Sequence, residues 1–218
     1  MPLHKTITVN EHTSITIWKV EETQEQLQKG ITLSPHCQKR FSGMKSEIHR
    51  RAFLSIRHLL ALYGYVDEDL HYSKAGKPYL KDGTHISITH SHHFTAIIIG
   101  RKDEVGIDIE MQRDKILRIA HKFTLVNEYR TLANTEAVVR KLTIVWGAKE
   151  SLYKIYGQKG LSFLEHIFVS DFLFDDKKTT ATIQYKGDTH SYHICFMEFE
   201  GFTCVYAFPL DNNSITQQ

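Results

Sequence analysis

The sequence predicts an α+β protein built of two tightly packed subdomains. Strand-like alternation opens and closes the 218-residue chain, and long amphipathic helical patterns occur in both halves. Helix-plus-sheet halves therefore lie on either side of about residue 105. Because no linker rich in Pro, Gly or Ser separates the halves, we expect a packed interface between them rather than a flexible tether.

Strand patterns in the first half alternate polar and apolar side chains, as half-buried strands do. The helical pattern of this half repeats apolar side chains on one face, and Gly64 follows it as a stop signal. The polar run 90–93 separates two of the strand patterns. The predicted elements are strands at 6–9 and 14–17, a helix at 44–63, and strands at 86–89, 95–99 and 105–110.

The second half begins with helical patterns and ends with strand patterns. Gly157 follows the longest helical pattern and marks its end. Two short turns, 186–188 and 200–201, have the glycine typical of hairpins. The predicted elements are helices at 115–121, 125–133 and 135–156, and strands at 167–169, 181–185, 193–199 and 202–208.

Composition excludes several classes of protein. The 27 Lys and Arg nearly balance the 25 Asp and Glu, so a general nucleic-acid-binding role is not expected. No apolar run reaches the ~18 residues that cross a bilayer, and the N-terminus lacks the apolar stretch of a signal peptide. The three cysteines lack the C-x-x-C spacing and are expected to be reduced thiols. We therefore expect a cytoplasmic protein with no membrane partner.

An acidic pair lies in the strand pattern at 105–110. Asp108 and Glu110 are two residues apart, so both carboxylates lie on one face, and the intervening apolar residues are expected to face the core. Oxygen ligands of this kind suit Mg²⁺. A solvated strand face is the alternative. Gly106, inside the pattern, permits close approach of a backbone or a ligand.

The helix predicted at 135–156 has an unusual charge in its apolar stripe. Lys149 falls inside that stripe, where a charged group is rare without a partner. Glu150 and Lys154 follow Trp146 at four-residue intervals along the edge of the stripe. These groups are able to hold a metal and phosphate oxygens. The alternative is an ordinary surface ion pair with a snorkelling lysine. Gly147 again indicates a close approach to the backbone.

Together the two segments, V-G-I-D-I-E (105–110) and W-G-A-K-E-S-L-Y-K (146–154), resemble the two-part signature of the 4′-phosphopantetheinyl transferase superfamily. The segments G-K-P-Y (76–79), I-S-I-T-H-S (86–91) and K-G-L-S (159–162) are similar to those of its single-chain, Sfp-like branch. The resemblance spans roughly residues 34–165. Gly147 and Thr89 depart from the usual residues, without loss of a charge.

This resemblance implies two similar subdomains, each a small, mainly antiparallel sheet with helices. Residues 1–104 are then expected to form an N-terminal subdomain for the adenosine and 3′-phosphate side of coenzyme A. Residues 105–218 are expected to form a C-terminal subdomain with the metal site and the catalytic helix. The active site is expected in the cleft between them.

The resemblance also implies the reaction. Coenzyme A donates 4′-phosphopantetheine to a serine of an apo acyl or peptidyl carrier protein, as in holo-acyl-carrier-protein synthase, and 3′,5′-ADP leaves. Asp108, Glu110 and Glu150 are the expected ligands of Mg²⁺, with Mn²⁺ possible in its place. Lys154 is expected to stabilise the leaving phosphate, and Glu150 or, less strongly, Glu128 to take the serine proton.

The residues expected to bind coenzyme A are cationic or polar. His90 matches the family's histidine contact to the 3′-phosphate, Thr89 beside it is expected to add a hydroxyl, and Arg50 matches a further phosphate contact. The list of expected coenzyme A ligands is Arg50, Arg57, Lys77, Thr89, His90, Lys149 and Lys154. A zinc site at His90, His92 and His93 is the weaker alternative, since three histidines in one turn rarely make a tetrahedral site.

Two other functions remain open at the level of the sequence: a non-catalytic protein that binds coenzyme A or a carrier protein, and a metal-dependent diphosphate hydrolase. The carrier-binding surface is expected to include four basic residues of the region 111–130, namely Arg113, Lys115, Arg118 and Lys122.

We expect a monomer, by resemblance to the branch.

Overall fold

The computed structural model describes residues 3–124 and 134–210. The chain divides into two compact units, Met1–Lys102 and Asp103–Gln218. Each unit has an antiparallel sheet with a long helix packed against it. The α+β class expected from the sequence is confirmed.

The first unit is built on a four-stranded sheet in the order β1-β2-β6-β5. Helix α3 packs on this sheet and buries its apolar face, which includes Leu54, Leu59 and Leu60. A separate two-stranded ribbon is formed by β3 and β4. The elements are β1 (Leu3–Asn10), β2 (Thr13–Lys19), α1 (Gln24–Gln28), α2 (Pro35–Ser42), α3 (Glu47–Ala61), β3 (Leu70–Tyr72), β4 (Pro78–Leu80), β5 (His85–Ser91) and β6 (Phe94–Gly100).

The second unit is built on a five-stranded antiparallel sheet in the order β7-β11-β10-β9-β8. Helix α5 packs across β7 and β11 and buries Leu142, Ala148 and Leu152 in the core. The elements are β7 (Gly106–Met111), α4 (Lys115–Ile119), α5 (Thr135–Tyr156), β8 (Ile167–Val169), β9 (Lys178–Tyr185), β10 (Asp188–Phe199) and β11 (Phe202–Pro209).

Local signals in the sequence explain the ends of helix α5. The side chain of Asn134 accepts a hydrogen bond from the backbone N–H of Ala137 and caps the first turn. Gly157 adopts a left-handed conformation (φ 65°) and ends the helix. The tight hairpins follow the same logic, because Lys186-Gly187 and Glu200-Gly201 all have positive φ, as type I′ turns require.

Several expectations need adjustment. The sequence did not predict α1, α2, β3 or β4, and the helix expected at 115–121 is a single α-helical turn continued by a 3₁₀ turn at 120–122. The helix expected at 125–133 lies outside the described residues. Within the described parts of the chain, no helix is both long and apolar enough to span a bilayer.

Candidate active site

The acidic pair lies on β7, on the face of the sheet that meets helix α5. A side chain at Gly106 would place its Cβ 2.0 Å from the carbonyl oxygen of Ser151, so the strand and the helix touch through their backbones. Asp108 and Glu110 share the face of Gly106 because they follow it at intervals of two. Asp108 is only 6% exposed.

This placement agrees with one expectation. The apolar residues Ile107 and Ile109 were expected to face the core, and both are buried. Both faces are buried: Ile107 and Ile109 are at most 1% exposed, and the carboxylates lie on the helix side. The alternative of a solvated acidic face therefore does not hold for Asp108.

Helix α5 also packs closely against β11. A Cβ on Gly147 would lie 2.7 Å from Cγ2 of Val205 and 3.9 Å from Oδ2 of Asp108. The close approach that both glycines indicated is thus helix-on-sheet packing. It brings Glu150 and Lys154 of the helix to the same region as Asp108 of the strand.

A direct contact joins the helix to the acidic strand. Lys154 Nζ donates to Asp108 Oδ1 at 2.7 Å and to the carbonyl oxygen of Ile107 at 2.7 Å. The lysine side chain is 26% exposed, so the ammonium group is held at the site without being sealed from solvent. A fixed cation beside buried carboxylates is able to neutralise an incoming anionic group.

The carboxylates influence one another electrostatically. Burial, with the negative charge of Asp108, raises the pKa of Glu110 to about 7. Burial and the charge of Asp108 likewise raise the pKa of Glu150, and Lys154 opposes this shift. Three carboxylates whose charges repel in a confined space are a suitable donor set for a divalent cation, which prefers oxygen ligands.

The described residues contain no group of three or more His, Cys, Asp or Glu side chains already arranged around a common ion position. The three carboxylates therefore fit a metal by their chemistry and their mutual repulsion, not by a preformed cage. Mg²⁺ suits such a site because it keeps several waters and takes substrate phosphate oxygens as ligands. Within the described residues, the histidines of the run 90–93 likewise form no such group, although they were the weaker alternative for zinc.

Lys149 is not placed where it was expected. Its side chain is buried (1% exposed), and Nζ donates to the carbonyl oxygen of Phe163 at 2.7 Å and to that of Phe123. An ammonium group enclosed by main-chain carbonyls does not extend toward a phosphate. The expectation of a direct phosphate contact is therefore revised to a structural role for Lys149 in the second unit.

The first unit contains a separate cavity of about 280 Å³. His90, near the end of β5, and Arg57, on α3, both line it. His49 packs edge-on against His90, with ring centroids 5.5 Å apart. Arg40 lies over the ring of Tyr72 at 5.1 Å. Cations and aromatic rings thus surround a partly apolar space.

Arg57 is a buried wall residue of this cavity. Its Nε donates to Asp67 Oδ1 at 2.7 Å, Nη1 donates to the carbonyl oxygen of Phe53, and Nη2 donates to Cys37 Sγ. Asp67 also accepts from the backbone N–H and hydroxyl of Ser34. These bonds occupy the guanidinium, so they favour a role for Arg57 in shaping the cavity over the direct phosphate contact that was expected.

The other expected coenzyme A ligands of the first unit are not among the residues that line this cavity. Arg50 is on α3 with its Nε buried and, within the described residues, without a hydrogen-bond acceptor. Thr89 is buried in β5, and Lys77 lies in the turn between β3 and β4. Glu128 lies outside the described residues.

Sequence reasoning missed several residues near the two sites. His49 falls four residues before Phe53 on the stripe of α3, so its position on the cavity side was readable from helical spacing. The bidentate pair of Arg140 with Glu198, to which Gln112 also donates, braces α5 against β10 and has no sequence signal, because the three residues are far apart in the chain.

Two comparisons with known proteins concern the region that contains these residues. The model of the 4′-phosphopantetheinyl transferase superfamily matches residues 104–207, which include β7 and α5. A 4′-phosphopantetheinyl transferase gsp from Aneurinibacillus migulanus is 29% identical over 153 residues, which cover 68% of this chain and 62% of that relative. The chain therefore spans less than two thirds of the relative's length.

These matches confirm the resemblance that the two motifs indicated. Residues 104–207 match the model of the 4′-phosphopantetheinyl transferase superfamily, and the chain is similar to a 4′-phosphopantetheinyl transferase.

Proposed function

We propose that this chain is a phosphopantetheinyl transferase of the Sfp-like, holo-acyl-carrier-protein synthase type. It would transfer 4′-phosphopantetheine from coenzyme A to a serine of an apo acyl or peptidyl carrier protein. The observation that carries the proposal is the contact of Lys154 with Asp108, within a region that matches the superfamily. A cation fixed beside a set of carboxylates suits the transfer of a phosphoryl group.

Asp108, Glu110 and Glu150 would hold the metal, with Mg²⁺ preferred and Mn²⁺ able to replace it. When bound, a divalent ion neutralises charge on diphosphate oxygens. Lys154 would stabilise the negative charge that grows on the departing 3′,5′-ADP as the phosphorus–oxygen bond breaks. Glu150, whose pKa is raised by burial and by Asp108, suits the role of proton acceptor for the carrier serine. Glu128 is the second candidate base.

The nucleotide end of coenzyme A is proposed to bind in the first unit. The cavity lined by His90, His49 and Arg40 offers cationic groups for a phosphate and aromatic surfaces for a base. Lys77, Thr89 and Arg50 are proposed as further contacts, and Arg57 as the residue that fixes the wall. We further propose that the protein acts as a cytoplasmic monomer.

Intact-mass spectrometry tests this function. An apo carrier protein is incubated with the protein, coenzyme A and Mg²⁺, and a second sample receives EDTA. The proposal expects a mass gain of one phosphopantetheine on the carrier, which EDTA prevents. Coenzyme A binding without transfer to any member of a panel of fatty-acid, polyketide and peptide-synthetase carriers would contradict it and favour a non-catalytic binding protein. Release of 3′,5′-ADP without a modified carrier would indicate a hydrolase.

A further inference from the structure

Lys149 is one of two buried lysines on helix α5. Burial of an ammonium group is unfavourable unless strong acceptors surround it. The acceptors of Lys149 include the main-chain carbonyls of Phe123 and Phe163, which belong to segments on opposite sides of α5 in the sequence. One charged group therefore fixes two otherwise separate stretches of backbone against the same helix.

Both of these stretches contribute a ring to the surroundings of Trp146. The centroid of the Trp146 indole lies 5.0 Å from that of Phe123 and 5.4 Å from that of Phe163. Trp146 precedes Lys149 by three residues, so the two side chains lie on the same side of the helix. By holding the carbonyls, the ammonium group holds the two rings that contact the indole.

Trp146 in turn forms a wall of a cavity of about 160 Å³ in the second unit. Glu110, one of the proposed metal ligands, lines the same cavity. The remaining walls are Thr143 of α5, apolar side chains of the β7–α4 region and the exposed cations Arg113 and Lys115. A partly apolar space with a basic rim beside Glu110 is complementary to a partner surface that combines apolar and acidic groups.

We propose that Lys149 is a positioning residue for carrier use: through the carbonyls of Phe123 and Phe163 it fixes the indole of Trp146, and with it the cavity wall beside Glu110. It does not contact the phosphates of coenzyme A. This inference rests on the proposed transferase function. It predicts that loss of the ammonium group impairs reaction with the carrier and leaves binding of coenzyme A unchanged.

The test compares Lys149→Met with a matched variant, Lys141→Met. Lys141 is the other buried lysine of α5, and it donates to Asp171 and to the carbonyl oxygen of Phe172, away from Trp146. Both variants lose one buried ammonium group and are expected to lose stability. A Trp18→Phe background leaves Trp146 as the sole tryptophan, because the chain has two. Acrylamide quenching of its fluorescence then reports the exposure of the indole.

For Lys149→Met we expect stronger quenching of Trp146 and a rise in the carrier KM of roughly tenfold or more, since small misplacements in a site are costly. The dissociation constant of coenzyme A should stay within about twofold of the parent value. Lys141→Met should change neither the quenching nor the carrier KM. Weaker coenzyme A binding with unchanged quenching would overturn the proposal and restore a phosphate contact.

Two safeguards keep the outcomes distinct. If Lys149→Met does not fold, Lys149→Gln retains an N–H donor at the end of the side chain, and it should show the same effects in weaker form. If the parent protein modifies no carrier, the transferase function and the role in carrier use both fail. The quenching experiment then still decides whether Lys149 positions Trp146.

Discussion

Lys154 Nζ lies 2.7 Å from Asp108 Oδ1, so a cation on helix α5 is paired with a carboxylate on strand β7, 46 residues earlier in the chain. The pair is held by two independent features. Lys154 also donates to the carbonyl oxygen of Ile107, and Gly106 and Gly147 let the helix and the sheet approach closely. The position of the charge is therefore set by backbone as well as by side-chain contacts.

Replacement of Lys154 by methionine is expected to lower turnover roughly a hundredfold, because one fixed donor to a developing negative charge contributes about that much. Coenzyme A affinity should fall far less, since the charge develops mainly in the transition state. Steady-state kinetics and isothermal titration with coenzyme A measure the two effects. Equal losses in both would remove the proposed role. Lys178→Met, at an exposed site on β9, is the control.

The carboxylates of the site are expected to be required for transfer and dispensable for folding. Asp108→Asn keeps the volume of the side chain and an acceptor for Lys154, and Glu150→Gln does the same for the helix residue. Each should abolish the mass gain of the carrier while circular dichroism shows the parent's thermal transition within a few degrees. Full activity in either variant would reject that residue as a metal ligand. Glu165→Gln, at an exposed carboxylate, should behave as the parent.

The buried pair of Arg57 and Asp67 is expected to make stability depend on pH. Burial alone would raise the pKa of Asp67, but hydrogen bonds from Ser34 and the charge and hydrogen bond of Arg57 outweigh it, so the pKa is lowered. Because the folded pKa is below the unfolded value of about 3.9, the stabilisation is complete above that value. It is lost as the pH falls from there through the folded pKa.

Asp67→Asn should therefore cost about 3 kcal/mol or more at pH 7, since it leaves the guanidinium buried without its counter-charge. The difference from the parent should shrink as the pH falls below about 4. Urea unfolding at a series of pH values measures both. If the difference in free energy of unfolding between the parent and Asp67→Asn stays constant down to pH 3, ionisation of Asp67 is not the source of the pH-dependent stability. Asp175→Asn, at an exposed carboxylate, should change neither quantity.

The two glycines at the contact of α5 with the sheet are expected to respond differently to alanine. At Gly147 the new methyl group would lie 2.7 Å from the Val205 side chain. A smaller residue at position 205 removes this clash, so Val205→Ala should restore much of the stability lost in Gly147→Ala. At Gly106 the new methyl group would lie 2.0 Å from the backbone oxygen of Ser151, and no substitution of a side chain removes a clash with the backbone. Thermal unfolding should show the larger loss for Gly106→Ala. Similar losses, or no rescue at Gly147, would contradict this packing.

The long elements were predictable because several signals agree on them. The helix from Thr135 to Tyr156 has an apolar stripe, an Asn cap and a terminal glycine, and its predicted bounds are confirmed. Helices α1 and α2 are too short for a periodic pattern, so they were missed although Thr23 and Ser34 cap them through their side chains.

The candidate site was predictable in composition and less so in arrangement. Alternation in β7 places Asp108 and Glu110 on one face, but it does not say which face meets the helix when both are buried. Lys149 was noticed as a charge in an apolar stripe. Its acceptors are main-chain carbonyls, which carry no signature in the sequence, so its role became visible only in the structure.

The absence of side chains at Gly106 and Gly147 has a consequence for how this protein tolerates change. At these points the strand and the helix approach each other through backbone atoms and the Val205 side chain. Substitutions elsewhere in the core can then alter stability without changing the separation of the reactive groups. We expect the distance between Asp108 and Glu150 to change little when other core residues are substituted. A redesign of this distance should require changes at these two glycines or at Val205.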